Sequence, residues 1–281
     1  MTPLVSIIIP CFNDGKYLSE AVHSAQKQTY PATEIIIVND HSTDPLTCKA
    51  LEEAVASGLR VLHVHEGKKG LPAARNVGIN AAAGEFILPL DADDKLAPTY
   101  IEKAVTAFSQ NPRLGICYCR AHCFGLKRGP WKLPDYSFER ILSGNMIFAT
   151  ALFPKALWQE VGGYDENLYL GMEDYALWLQ ITSREYEVHR LEETLFFYRI
   201  KKNSLVAKRA DEKFGLQALR AVFNSCRNIY EQNSWLLLKQ ISSERQKQQA
   251  LDCLFSWKIF RHICALEWKL RQKVKKIVGR A

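Results

Sequence analysis

EFILPLDADD, residues 85–94, sets a short apolar run, Phe86–Leu90, directly against three carboxylates, Asp91, Asp93 and Asp94. A run apolar on both faces belongs in the interior of a parallel sheet covered by helices. The same pattern recurs outward from it. Upstream lie VSIIIP (5–10), EIIIVND (34–40) and RVLHVH (60–65), and downstream lies LGICYCR (114–120). Between these runs, helical patterns are expected around 17–28, 47–57, 71–83 and 99–110. Strands alternating with helices give an α/β, doubly wound, mostly parallel sheet flanked by helices. A further strand is expected at MIFATALF (146–153), and a loop feeding a helix at GGYDENLYLGMEDYALWLQ (162–180).

Open α/β sheets bind ligands beyond the carboxyl ends of their strands. The residues there are Pro10-Cys11-Phe12-Asn13-Asp14, Asn39-Asp40-His41 and Asp91-Ala92-Asp93-Asp94, which gather carboxylates on one rim. Like charge crowded at a sheet end is costly without a cation. Mg²⁺ or Mn²⁺, held by one or two carboxylates together with substrate phosphates, suits a D-x-D loop. The glycine-rich loop of a Rossmann dinucleotide site, where backbone amides would meet a pyrophosphate, is missing after the first strand.

With 281 residues, 47% of them hydrophobic and 24% charged, the chain can bury a full core. It begins without a basic leader and apolar signal region and holds no run of 18 apolar residues, so the expectation is a cytoplasmic protein that does not span a membrane. Eight scattered cysteines favour free thiols. Cys117, Cys119, His122 and Cys123 cluster without paired C-x-x-C knuckles, so core packing is preferred over zinc. Charge divides by position: residues 1–200 carry a net −5 and residues 201–281 a net +12.

Four stretches, in order, carry a family resemblance: VSIIIPCFNDGKYLSEAVHSAQKQTYP (5–31), EIIIVNDHSTDPLT (34–47), GLPAARNVGINAAAGEFILPLDADD (70–94) and GGYDENLYLGMEDYALWLQ (162–180). Over roughly Val5 to Ser204 the chain resembles family two of the glycosyltransferases. The resemblance implies a GT-A fold. It also implies an inverting, metal-dependent enzyme that moves a sugar from a nucleotide-diphosphate donor to a hydroxyl of a glycan or glycolipid acceptor. UDP is the favoured nucleotide, since in the family Asp40 would accept the imide N–H of the base, beside Pro10 and Phe12. Arg75 would lie near the base or phosphates, where a guanidinium fits phosphate well. Asp93 would ligate Mg²⁺ or Mn²⁺, Asp91 would touch the ribose, the metal or its water, and Asp94 would support them.

The base that takes the acceptor proton would come from the Glu173-Asp174 pair opening the helix MEDYALWLQ. Adjacent helical residues point about 100° apart, so one faces the acceptor and the other orients or caps; the family uses the Asp, here Asp174. One departure stands out. Relatives often carry histidine where this chain has Lys201, and an ammonium does not ligate Mg²⁺. Either water takes that position on the metal or Lys201 meets the diphosphate directly.

The expected organisation is a GT-A catalytic domain over 1–204, with a nucleotide-binding half (1–120) and an acceptor half (121–204), followed by a basic helical region, 205–281. In its last stretch Trp257, Phe260, Ile263, Leu266 or Leu270, Val274 and Ile277 recur every three or four residues among lysines and arginines. Such a helix suits an anionic membrane surface, giving peripheral attachment on the cytoplasmic face, or equally a helix packed on the domain. No nucleic-acid motif accompanies the charge. The rivals are a sugar-nucleotide pyrophosphorylase, which would need a glycine-rich basic loop after the first strand, and an inert nucleotide-sugar-binding protein, which would be free to lose Asp93 or Asp174.

Overall fold

The computed structural model describes residues 2–64, 70–202, 211–243, 245–247 and 249. The chain forms two compact units, Met1–Gln232 and Asn233–Ala281. The described residues 211–232 fall in the first unit. The apolar stripe Trp257 to Ile277 lies outside the described residues, as do Cys253 and Cys264. Among those described, no helix is long and apolar enough to cross a membrane.

The first sheet grows from the runs that the sequence marks. Strand β1 (Val5–Cys11) lies between β2 (Thr33–Asn39) and β4 (Phe86–Pro89), parallel to both, with β3 (Arg60–His63) parallel to β2. The two-residue β8 (Phe153–Pro154) closes the other edge antiparallel to β4, giving the order β3-β2-β1-β4-β8. The chain winds from β1 out to β3 and then returns past β1 to β4. The direction reverses between β1 and β4, so the crevice opens where their following loops diverge.

Helices α1 (Gly15–Gln26), α2 (Pro45–Ala56) and α3 (Leu71–Ala81) connect these strands. Asp44 caps α2 by accepting from the Thr47 amide at 2.9 Å, and Pro45 fits the first helical position. Helix α3 is buried around most of its surface because Gly78 lets it approach the sheet. A Cβ there would lie 2.5 Å from Ile8 Cγ2 and 2.9 Å from Val38 Cγ2. This close approach fixes where Arg75 and Asn76 stand.

Beyond the carboxylate loop, β5 (Lys95–Leu96) starts a second sheet of order β5-β9-β6-β7. It comprises β6 (Leu114–Gly125), β7 (Gly129–Trp131) and β9 (Glu187–Ile200), with α4 (Tyr100–Gln110) preceding β6. LGICYCR therefore belongs to the second sheet rather than continuing the first. Cys117 and Cys119 are buried in β6, where burial pushes the Cys117 thiol up to about 12. No group of three or more His, Cys, Asp or Glu among the described residues could by itself hold a metal.

The strand expected at MIFATALF is corrected to irregular chain that ends in β8. Most of its apolar side chains are buried, and its backbone is satisfied partly by an isolated bridge from Leu152 to Cys117 and partly by side chains. Trp178 Nε1 donates to Ile147 O at 3.1 Å and Tyr100 Oη to Thr150 O at 2.7 Å.

Among the described residues, the remaining helices of the first unit are α5 (Phe138–Ile141), α6 (Lys155–Glu160), α7 (Glu173–Thr182), α8 (Glu212–Ser225) and α9 (Arg227–Gln232). Helix α9 braces α7. Tyr175 Oη donates to Ile141 O at 2.6 Å and lies 3.2 Å from Tyr230 Oη, and Cys226 Sγ is 3.7 Å from Ala176 O. Tyr230→Phe is expected to cost about 0.5–1.5 kcal/mol, the usual worth of one internal hydrogen bond. Urea denaturation measures it, and an unchanged midpoint would count against the brace.

Candidate active site

The rim of the crevice is assembled from both sheets. From the first come the loop after β1, with Phe12 and Asp14, and the loop after β4, with Asp91 to Asp94. From the second comes the end of β9, which delivers Arg199 and Lys201. Arg199 locks the two together. Its backbone N–H donates to Asp94 Oδ1 at 2.7 Å and its Nε to Asp93 O at 2.7 Å. Asp94 is fully buried, and burial followed by the charges of Asp93 and Asp91 raises its carboxyl well above the ordinary range. It acts as an internal brace.

Beyond β2 lies a buried acceptor. Asp40, buried just beyond β2, accepts from the Gly70 N–H through Oδ2 at 2.8 Å, while its Oδ1 has no hydrogen-bond partner among the described residues. A buried lone acceptor is costly until a donor arrives. Phe12 is 57% exposed at the end of β1, an apolar surface at the same rim. Pro10 is different. It is buried in β1 in register with Val38, one residue before the end of the strand.

Arg75 stands beside the carboxylate loop. Its side chain is 1% exposed, and both terminal nitrogens are committed, Nη2 to Asp91 Oδ1 at 2.8 Å and Nη1 to Glu173 Oε1. Its guanidinium lies 5.5 Å from the centre of the Tyr164 ring. The buried guanidinium thus bridges Asp91 and Glu173 through its two terminal nitrogens. One cation joins the carboxylate loop after β4 to the first turn of α7.

Tyr164 reaches this position through the glycine pair before it. Gly162 and Gly163 take φ of 84° and 82°, and Asn76 clasps the backbone beyond them, accepting from Tyr164 N at 2.9 Å and donating to Tyr164 O at 2.8 Å. Gly171 (φ 89°) and Met172 (φ 74°) then turn the chain into α7. A left-handed methionine is uncommon, and such residues gather at functional sites.

The two acids of α7 have separate environments. Glu173 is buried, and its carboxyl is pushed up to about 7 by burial, against the opposing charge of Arg75. Asp174 is half-buried, with Oδ2 accepting from Asn145 Nδ2 at 3.1 Å and Oδ1 from the Tyr175 N–H at 2.8 Å. Only Asp174 combines access with orientation. Asn145 has no local sequence signal; it is recognised through its contact alone.

Lys201 spans the crevice mouth. Its Nζ lies 2.7 Å from Asp14 Oδ1 and 2.9 Å from Asp93 Oδ2. Burial alone would lower its pKa, but the hydrogen bond to Asp14 and the charge of Asp93 hold it above the ordinary lysine range. Asp93 is raised, first by burial and then by Asp91, despite Lys201. The carboxylates remain under-compensated, and hard oxygen donors with surplus negative charge fit a divalent cation that shares its coordination with a diphosphate.

Comparison with known proteins agrees with this architecture. A profile described as glycosyl transferase family 2 matches residues 6–164. An uncharacterised glycosyltransferase of Rickettsia typhi is 34% identical over 191 residues, 64% of this chain and 58% of that protein. Chondroitin synthase of Escherichia coli is 30% identical over 184 residues, 64% of this chain but 26% of that protein, so the chain corresponds to a portion of such relatives. Among solved structures, S. aureus TarS 1-349 in complex with UDP-GlcNAc superposes with a TM-score of 0.63 at 20% identity, covering 80% of this chain and 67% of that one. A mannosyltransferase of Pyrobaculum calidifontis in complex with GDP-Man and Mn²⁺ gives 0.58 at 20% identity, over 86% and 74%. With more than half of its length matched by the family profile, on a GT-A fold, the chain belongs to glycosyl transferase family 2.

Proposed function

We propose that this chain is an inverting, divalent-metal-dependent glycosyltransferase that uses a UDP-sugar and a glycan or glycolipid hydroxyl. The observation that carries the reading is the Arg75 bridge, which holds the carboxylate loop and the acid-bearing turn of α7 on one buried guanidinium. Donor-side charge and acceptor-side base thereby face one crevice.

In this reading Asp40 Oδ1 accepts the imide N–H of the uracil ring, with Phe12 beside it. Asp93 and Asp91 would hold Mg²⁺ or Mn²⁺. When bound, that ion supplies positive charge to the departing diphosphate. Asp174 takes the proton of the acceptor hydroxyl as its oxygen bonds to the anomeric carbon. The bond from that carbon to the diphosphate oxygen breaks on the opposite side, and the electron pair leaves with UDP. One displacement inverts the configuration. Support for the donor class comes from the fold relatives, one solved with UDP-GlcNAc and one with GDP-Man and Mn²⁺.

Calorimetric titration of UDP, dTDP and GDP, each with Mn²⁺ and with EDTA, tests the assignment. UDP is expected to bind best, and at least about tenfold tighter with metal, a difference of roughly 1.4 kcal/mol. Equal affinity in EDTA would remove the metal from the reading, and a preference for GDP would remove uracil recognition. NMR of the product's anomeric configuration decides between inversion and retention.

A further inference from the structure

Lys201 places its ammonium between two carboxylates from different loops, 2.7 Å from Asp14 Oδ1 and 2.9 Å from Asp93 Oδ2. The side chain is 24% exposed and Asp93 14%, so the pair is partly withdrawn from water, where charge pairing is stronger than on an open surface. The base of the lysine is fixed as well. Two residues earlier, Arg199 is pinned to Asp93 O and Asp94, and its guanidinium lies 4.3 Å from the centre of the Tyr17 ring. Lys201 Nζ is itself 5.5 Å from that ring. The ammonium therefore stands at a built seat with one partner on each side.

We infer that Lys201 is a resident counter-cation that competes with the divalent ion for Asp93 and makes metal binding conditional on the nucleotide diphosphate. The inference rests on the reading of Asp93 as a metal ligand. A divalent ion arriving alone must compete for Asp93 with an ammonium already on its Oδ2 and tolerate that ammonium nearby. Among the described residues, Asp14 remains to hold the displaced lysine. When the diphosphate arrives as well, its oxygens supply a new partner for Lys201, and the repulsion between the two cations becomes an attraction shared with the phosphates. Asp14 is then the alternative seat that allows Lys201 to release Asp93 without becoming unpaired.

The test is Mn²⁺ binding followed by electron paramagnetic resonance, with and without UDP, on the full chain. The wild-type protein is expected to bind Mn²⁺ at least about tenfold more tightly with UDP present. Lys201→Met is expected to bind Mn²⁺ alone at least tenfold more tightly than wild type does, and to lose most of the dependence on UDP. Asp14→Asn, which keeps the ammonium and removes its second seat, is expected to shift the other way, with weaker Mn²⁺ binding in the presence of UDP. It reports on the same competition if Lys201→Met does not fold. Unchanged Mn²⁺ binding in both variants, with UDP-dependent binding in the wild type, would overturn the role of Lys201 and leave the metal reading standing. Failure of every protein to bind Mn²⁺ even with UDP would overturn the metal reading and this inference with it.

Discussion

Asp174→Asn is expected to lower the rate of sugar transfer by about 10²- to 10⁴-fold while donor affinity holds, the loss typical when a general base is removed. The amide keeps the size of the side chain and its ability to accept from the Tyr175 N–H, so the entry into α7 is preserved. Only basicity is lost. Glu173→Gln is expected to cost transfer less directly, because the Glu173 carboxylate is buried and committed to Arg75. Steady-state rates and donor-binding constants for the two variants separate the roles. A larger catalytic loss in Glu173→Gln at unchanged stability would move the base to Glu173.

The second large effect concerns stability. Arg75→Met is expected to destabilise the fold by about 3–5 kcal/mol, the usual result of removing one partner from a buried ion pair. Methionine fills much of the space but leaves Glu173 buried without its cation. The proton balance gives the pH dependence. The Glu173 carboxyl already sits near 7, above its ordinary 4.5, through burial, and loss of Arg75 raises it further. In acid it is protonated in both folded and unfolded states and carries no charge penalty. As pH rises past the unfolded value and then the folded one, the folded state must hold first an extra proton and then an unpaired charge. The penalty therefore grows with pH. Urea titrations at pH 5 and pH 8 measure it, and the double variant with Glu173→Gln is expected to recover part of the loss. A cost below 1 kcal/mol at pH 8 would show that the bridge contributes little to stability.

The legible parts of this molecule share one property: their physics is local. Ile7, Ile8 and Ile9, or Ile36, Ile37 and Val38, are apolar on both faces and occur where β1 and β2 run. Asp91, Asp93 and Asp94 announce a charged rim because they follow such a strand without a break. What the sequence conceals depends on distant partners. MIFATALF has the composition of a strand, but distant Trp178 and Tyr100 take two of its carbonyls, and it meets strands at its end, through Leu152 and Phe153. Strand β9 begins among charges, EVHRLEE, and its pairing with β6 passes through register shifts, so its 14 residues carry little periodic signal. Arg75 has the chemistry of a phosphate ligand, and only the fold shows its enclosure by Asp91, Glu173 and Tyr164. Asp14 lies on the expected rim, yet its partner is 187 residues away.

The Arg75 bridge also bears on how this protein could be recombined with its relatives. A crossover anywhere between residues 92 and 172 would take Arg75 and Asp91 from one parent and Glu173 from the other. The Asn76 clasp on Tyr164 and the Lys201 contact with Asp14 cross much of the same interval. Exchanging the later segment to alter acceptor choice would therefore require matching residues 14, 75, 76 and 91 to the incoming segment. Functional chimaeras are expected where the graft honours that small set of cross-chain pairings, and poorly folded ones where it follows the linear order of the chain alone.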